Sequence, residues 1–278
     1  FDGALQLLDR VTAADPRNAQ ALLSRANIRV VQGKFSQASA DCIALARARR
    51  PDLAILCDTT TKALTSEAPQ SYGRPDRLVA SRTMDPALTG YAHSLLAEMA
   101  RFLERPKDAR RNFEAARSSD PRDLRTLMIF ADFELSQGRP KEALELLKDA
   151  PATDSIMVRQ AIASKAAGYQ VELAQLRETL RGSFEAAAAA GDTAHTREAA
   201  RYWLEVEDDA KAALKAAQAN WANQREMEDA VLLIAAATAA DEPHAAAAVE
   251  DWAAAERVVS PMFLSALEQA KAPAGGAP

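Results

Sequence analysis

Residues 19–51 read AQALLSRANIRVVQGKFSQASADCIALARARRP, and two apolar rows run through them at helical spacing. Leu22 and Ala26 share one side of a first segment, while Phe35, Ala38, Cys42 and Leu45 share one side of a second, with Gly33 between the two. Steps of three and four place such residues on a single face of an α-helix. Glycine between two such faces reads as a tight turn, so the stretch predicts two helices folded back on each other. Outward from it, Pro16, Pro51, Pro86 and Pro121 recur at intervals of 35 residues. Asp15, Asp85 and Asp120 precede three of these prolines and Asp52 follows the fourth. Each Asp/Pro pair marks a place where one helix must end and the next is readily capped. Gly33 and Gly138 are three periods apart, and each is followed five positions later by an alanine, Ala38 or Ala143.

Further copies of the unit follow the same phase. Residues 124–150 carry Leu127, Phe130 and Ala131, then Gly138, then Ala143, Leu147 and Ala150. Residues 90–121 carry Leu96, Ala97, Ala109, Phe113 and Ala116 but no turn glycine. The opening residues Phe1, Ala4, Leu8, Val11, Asp15, Pro16 and Asn18 match only a second helix, so a first helix is missing and the natural chain is expected to begin earlier. Between Pro51 and Pro86 the pattern weakens, because Pro69 and Gly73 fall where the turn and second helix belong; residues 67–86 read as degenerate, with a short second helix. Past Pro151 the strict period fades, yet amphipathic stretches continue at 154–167, 170–190, 193–205, 207–222, 226–240, 243–256 and 260–270.

A unit of this length, with small residues where its helices cross and proline near its end, resembles the tetratricopeptide repeat family. That resemblance implies an all-α fold, a right-handed superhelical α-solenoid of helical hairpins. Residues 1–151 are then repeats of this kind with the first one truncated, and residues 152–270 are divergent, alanine-rich hairpins of the same solenoid. Residues 271–278, Lys-Ala-Pro-Ala-Gly-Gly-Ala-Pro, lack an apolar stripe and read as a disordered tail. Alanine fits the scheme because two helices approach closely only where side chains are small. Ala26, Ala97 and Ala131 are expected at such crossings.

Composition narrows the function. The net charge of −5 argues against a nucleic-acid partner. Sixty-four alanines against 10 glycines and 5% aromatics exclude a β-sandwich or barrel. The longest uncharged apolar run, Ala230 to Ala240, stops well short of the roughly 18 residues that a bilayer span needs. Richness in alanine and arginine points to a GC-rich bacterial source.

Cys42 and Cys57 lie symmetrically about the turn at Arg50-Pro51, at matching heights on two antiparallel helices. Neighbouring axes about 8–10 Å apart bring facing Cβ atoms within disulfide range. Both a bridge and a pair of buried thiols remain open. A bridge implies a periplasmic or secreted protein, and free thiols a cytoplasmic one. His93, His195 and His244 have no metal-ligand spacing, and neither a phosphate loop nor a nucleophile elbow is present, so no metal, cofactor or catalytic residue is expected.

Members of the resembled family bind extended peptides or partner helices on the face lined by the first helix of each unit. The matching positions include Asn27, then Asp58 and Lys62, then Tyr91 and Arg101, then Met128 and Asp132. A second aromatic and guanidinium cluster, Arg201, Trp203 and Trp221, is a further candidate surface. The expectation is a non-catalytic scaffold for a protein or peptide partner. Two alternatives are a small-ligand or glycan module at Trp203 and Trp221, and an accessory domain of an enzyme.

Overall fold

A computed structural model describes residues 1–81 and 84–271. Among these residues the regular structure is entirely helical. The helices are α1 (Asp2–Ala14), α2 (Ala19–Val31), α3 (Phe35–Arg47), α4 (Pro51–Lys62), α5 (Ala68–Ala80), α6 (Pro86–Phe102), α7 (Pro106–Ser119) and α8 (Leu124–Ser136). After them come α9 (Pro140–Leu147), α10 (Asp154–Ala167), α11 (Gln170–Ala189), α12 (Thr196–Arg201), α13 (Ala210–Trp221), α14 (Met227–Ala239), α15 (Ala247–Glu256) and α16 (Pro261–Lys271). A π-helical stretch, Tyr202–Val206, continues α12, and a 3-10 turn, Pro243–Ala246, leads into α15. All seven amphipathic stretches read beyond Pro151 correspond to helices. Apart from Lys271, which ends α16, the expected tail lies outside the described residues.

The evenly spaced prolines act in two ways. Pro51 and Pro86 are the first residues of α4 and α6, where a missing N–H costs nothing. Pro16 and Pro121 sit earlier, in matching turns in which Asp15 and Asp120 each accept the amide of the residue two ahead at 3.0 Å. Asn18 and Asp123 then cap α2 and α8 by accepting first-turn amides.

The helices divide between two compact units. The first comprises Phe1–Ser119, Gln224–Glu228 and the chain from Ala248; the second comprises Asp120–Asn223 and Asp229–Ala247. Within the first unit, α2/α3, α4/α5 and α6/α7 are hairpins that pack in succession, and α1 packs on α2. Ala26 and Ala38 lie in the shared core of α2, α3 and α4 with Leu22, Leu45 and the two cysteines, each almost fully buried. Ala97 and Ala109 are fully buried on α6 and α7. Small side chains therefore occupy the contacts, as the crossing argument requires.

The second helix expected to be short is instead a full helix of 13 residues, α5. Pro69 falls in its first turn, where proline is tolerated, and only Pro75 interrupts its interior. Packing outweighs that defect. Tyr72 is buried and its hydroxyl accepts from Asn112 Nδ2 at 3.2 Å, Arg105 stacks over its ring at 5.7 Å, and Arg74 pairs with Asp58 on α4.

The C-terminal part of this unit returns to the turn ends of the early hairpins. The Arg225 and Val259 amides donate to the Val31 and Leu64 carbonyls, each at 2.8 Å. Trp252 Nε1 donates to the Gly33 carbonyl at 3.0 Å, and its ring meets Phe35 and Phe263 edge-on. The second unit is built likewise from α8/α9, α10/α11 and α12/α13, around Val158, Ala161, Ile162, Leu173, Leu180, Phe184, Tyr202 and Val206.

Gly33 and Gly138 hold equivalent turns at φ of +68° and +69°, but only Gly33 has a neighbour in the way: a Cβ there would lie 2.4 Å from Trp252 Nε1. The substitution Gly138→Ala should cost about 1–2 kcal/mol for left-handed backbone alone. Gly33→Ala should cost clearly more, because Trp252 must also be displaced. Denaturant titration of the two variants checks the order; equal losses would refute the Trp252 contact.

Candidate functional site

The expected groove residues separate by unit. In the first unit, α2, α4 and α6 together wall a pocket of about 260 Å³ lined by Leu23, Asn27, Leu53, Leu56, Cys57, Leu88 and Tyr91. Asn27 and Tyr91 are exposed there. The lining otherwise consists of four leucines and the Cys57 side chain, so the pocket offers apolar contact with an amide at its edge.

Cys57 is bonded to Cys42, with Cα atoms 5.3 Å apart. The bridge ties the second helix of one hairpin to the first helix of the next, the arrangement that their symmetry about Arg50-Pro51 allowed. It also fixes one wall of the pocket.

Charged neighbours are committed elsewhere. Asp58 faces Lys62 at 3.3 Å and also pairs with Arg74, while Lys62 reaches Glu67 at 3.1 Å. Burial works against the charge on Lys62, but Glu67 and Asp58 outweigh it and hold the ammonium above the usual lysine range. Arg101 is 9% exposed and pairs with Glu228 of α14 at 3.3 Å. Its role as a free contact for a guest therefore gives way to an internal one, with a partner 127 residues further along the chain.

In the second unit the corresponding positions join a closed ionic network. Asp132 on α8 accepts Arg159 Nη2 of α10 at 2.8 Å and Arg201 Nη1 of α12 at 2.9 Å, and Arg201 Nε reaches Glu205 at 2.8 Å. Burial pushes the Arg159 guanidinium below the ordinary arginine range, and Asp132 opposes the shift. For Arg201 burial acts in the same downward sense, but Asp132 and Glu205 prevail and its pKa is raised. Asp229 is likewise buried, accepting Arg197 Nε at 2.6 Å and Asn220 Nδ2 at 2.6 Å. Met128 is half-buried on α8.

The aromatic cluster proves internal. Trp221 is buried at 6% exposure, and Trp203 is half-buried with its ring edge-on to Tyr202, the centroids 4.9 Å apart. Tyr202 itself is fully enclosed, and burial together with Glu207 pushes its phenol up to about 12. Trp221 is thus enclosed, which leaves little of its ring for the expected ligand contact.

Of the histidines, His93 Nδ1 lies 2.9 Å from Asn112 Oδ1, and His195 Nδ1 lies 3.2 Å from Asp192. Among the described residues no group of three or more His, Cys, Asp or Glu is placed to hold a metal ion, and no helix is long and apolar enough to cross a membrane.

Hairpins in this register, with small residues at their crossings, meet a direct comparison with known families. Residues 103–163 match the family model described as tetratricopeptide repeat. Over that stretch the chain is similar to the tetratricopeptide repeat. The matched stretch includes Ala109, Phe113, Ala131 and Ala143 of the recurring pattern. The α2/α3 hairpin, outside the matched residues, has the same spacing, with Gly33 and Ala38 in the places of Gly138 and Ala143. No curated protein matches the chain.

Several pocket residues escape a reading by position. Leu53, Leu56 and Leu88 look like ordinary core positions of α4 and α6; Leu56 is almost fully buried, and the opening between the helices leaves Leu53 and Leu88 half-buried. Arg159 and Asp229 escape because their partners lie on other helices.

Removing the central anion of the ionic network should be costly. Asp132→Asn leaves Arg159 buried without its carboxylate and should destabilise the protein by about 3–5 kcal/mol, whereas Asp132→Leu with Arg159→Met should recover most of that loss. Urea unfolding of both variants measures the difference; a loss below about 1 kcal/mol for Asp132→Asn would mean that the network is open to solvent.

Proposed function

We propose that the chain is a non-catalytic scaffold that binds an extended segment of a protein or peptide partner over the α2/α4/α6 pocket. Tetratricopeptide repeats are generally protein–protein interaction scaffolds. The observation that carries the reading is the apolar pocket with Asn27 and Tyr91 exposed at its rim. Its size suits one large apolar side chain of a guest. Asn27 offers a donor and an acceptor together, the combination that an extended backbone needs, and Tyr91 adds an aromatic surface. Lys62, Asp58 and Arg101 support the walls through ion pairs. On the second unit, the self-satisfied pairs of Asp132 and Arg201 and the burial of Trp221 speak for a structural role there.

Panning a peptide library displayed on phage against the oxidised protein tests this assignment. Selected peptides should share an apolar anchor. Asn27→Ala with Tyr91→Ala should weaken their binding about ten-fold or more, equivalent to at least 1.4 kcal/mol, with helicity unchanged. Binding that ignores both substitutions in a calorimetric titration would put the interface elsewhere.

The Cys42–Cys57 bridge supports residence in an oxidising compartment, a periplasm or the extracellular space. Protein purified from its natural source without reductant and then denatured should show no titratable thiol until a reductant is added. Two titratable thiols per chain before reduction would remove this support.

A further inference from the structure

Among the side chains that line the pocket of the first unit, one belongs to a chemically reactive group. Cys57 stands in the α4 wall, and its sulfur is bonded to Cys42 of α3. The two ends of the bridge have different surroundings. Cys42 is 2% exposed and packs in the shared core with Leu22, Ala26, Ala38 and Leu45. Cys57, at 6% exposure, belongs to that core and also borders the pocket. Among the described residues the lining comes from α2, α4 and α6 and not from α3, so the pocket and Cys42 meet Cys57 from different sides.

A disulfide opens when a thiolate attacks one sulfur and the other leaves, and the rate depends on which sulfur can be reached. The attacking, attacked and leaving sulfurs lie nearly in line. An approach to Cys42 therefore has to part a packed core, whereas an approach to Cys57 from the side away from Cys42 starts in open space. That space, about 260 Å³, has room for a small thiol, and its lining holds no carboxylate to repel a thiolate.

We propose that this pocket is the route by which a small thiol reaches the bridge, and that Cys57 Sγ is the atom it attacks. A dithiol completes the reaction in two exchanges. Its first thiolate bonds to Cys57 Sγ, the bond between the cysteines breaks, and Cys42 departs with the electron pair and takes up a proton from water. Its second thiolate closes on the first sulfur and displaces Cys57, which is protonated in turn. The bridge is then reduced to two thiols and the dithiol oxidised to a cyclic disulfide. Between the exchanges the adduct on Cys57 occupies the pocket. A guest seated there would shield the bridge; that consequence rests on the pocket being the guest site, whereas the route rests on the lining alone.

Dithiothreitol added to the folded, oxidised protein, with thiols quenched by iodoacetamide at intervals and located by mass spectrometry, measures the route. Leu88→Trp fills the pocket from α6 and should slow reduction several-fold. Ile43→Trp adds the same ring next to Cys42, at a position 54% exposed on α3, and should leave the rate unchanged. Equal rates in the parent and Leu88→Trp, or equal slowing by both substitutions, would overturn the proposal. Single thiols cover the case in which Leu88→Trp fails to fold. The Cys57 thiol of Cys42→Ser should react with an aromatic disulfide reagent several-fold faster than the Cys42 thiol of Cys57→Ser, with helicity unchanged in each; equal or reversed rates would count equally against it. Peptides selected on the oxidised protein should also slow reduction. If they do not while Leu88→Trp does, the route stands and the guest binds elsewhere.

Discussion

Two helices can lie close together only where neither presents a long side chain at the point of crossing. Ala26 and Ala38, Ala97 and Ala109, and Ala131 and Ala143 occupy such points, and each is buried almost completely. From that closeness the other features follow. The hairpins bury continuous rows rather than isolated residues, so no single hairpin needs a core of its own. The turns must be tight, which is why Gly33 and Gly138 adopt left-handed backbone, and why Glu104 is forced to φ of +53° in the unit without a turn glycine. The bridge between Cys42 and Cys57 is the same closeness expressed covalently.

Close packing also determines which surfaces are left for a partner. The first helices of the hairpins turn one face away from their own second helix. In the second unit, arginines and aspartates on those faces saturate one another. In the first unit α2, α4 and α6 meet through leucines with few charges between them, and an open apolar pocket results. The difference lies in side-chain choice on a shared scaffold, not in the scaffold itself.

Much of this was legible in the order of residues. The proline interval, the positions of Gly33 and Gly138 and the recurring alanines are local signals, and they located the hairpins. The symmetry of Cys42 and Cys57 about a turn was equally local. Helix α5 was misread because Pro69 and Gly73 count against a helix by propensity, while the packing of Tyr72 against Asn112 and Arg105 comes from helices further along the chain. Arg101 looked free because its partner, Glu228, is distant in sequence; Trp252 on Gly33 was hidden for the same reason. Trp221 was readable as either a surface or a core residue, and its enclosure shows only in the fold. Local periodicity thus reveals elements, whereas the pairing of long side chains across elements does not show in it.

Residue-resolved amide hydrogen exchange tests the stacked-hairpin account most directly. Slow exchange is expected through α2, α3, α4, α6, α7 and α8, and through α5 despite its prolines. Fast exchange is expected at the breaks around Pro16, Arg49–Arg50, Asp85 and Pro121, which follow the interval of the prolines. Protection running unbroken across those breaks, or rapid exchange throughout Ala68–Ala80, would contradict it.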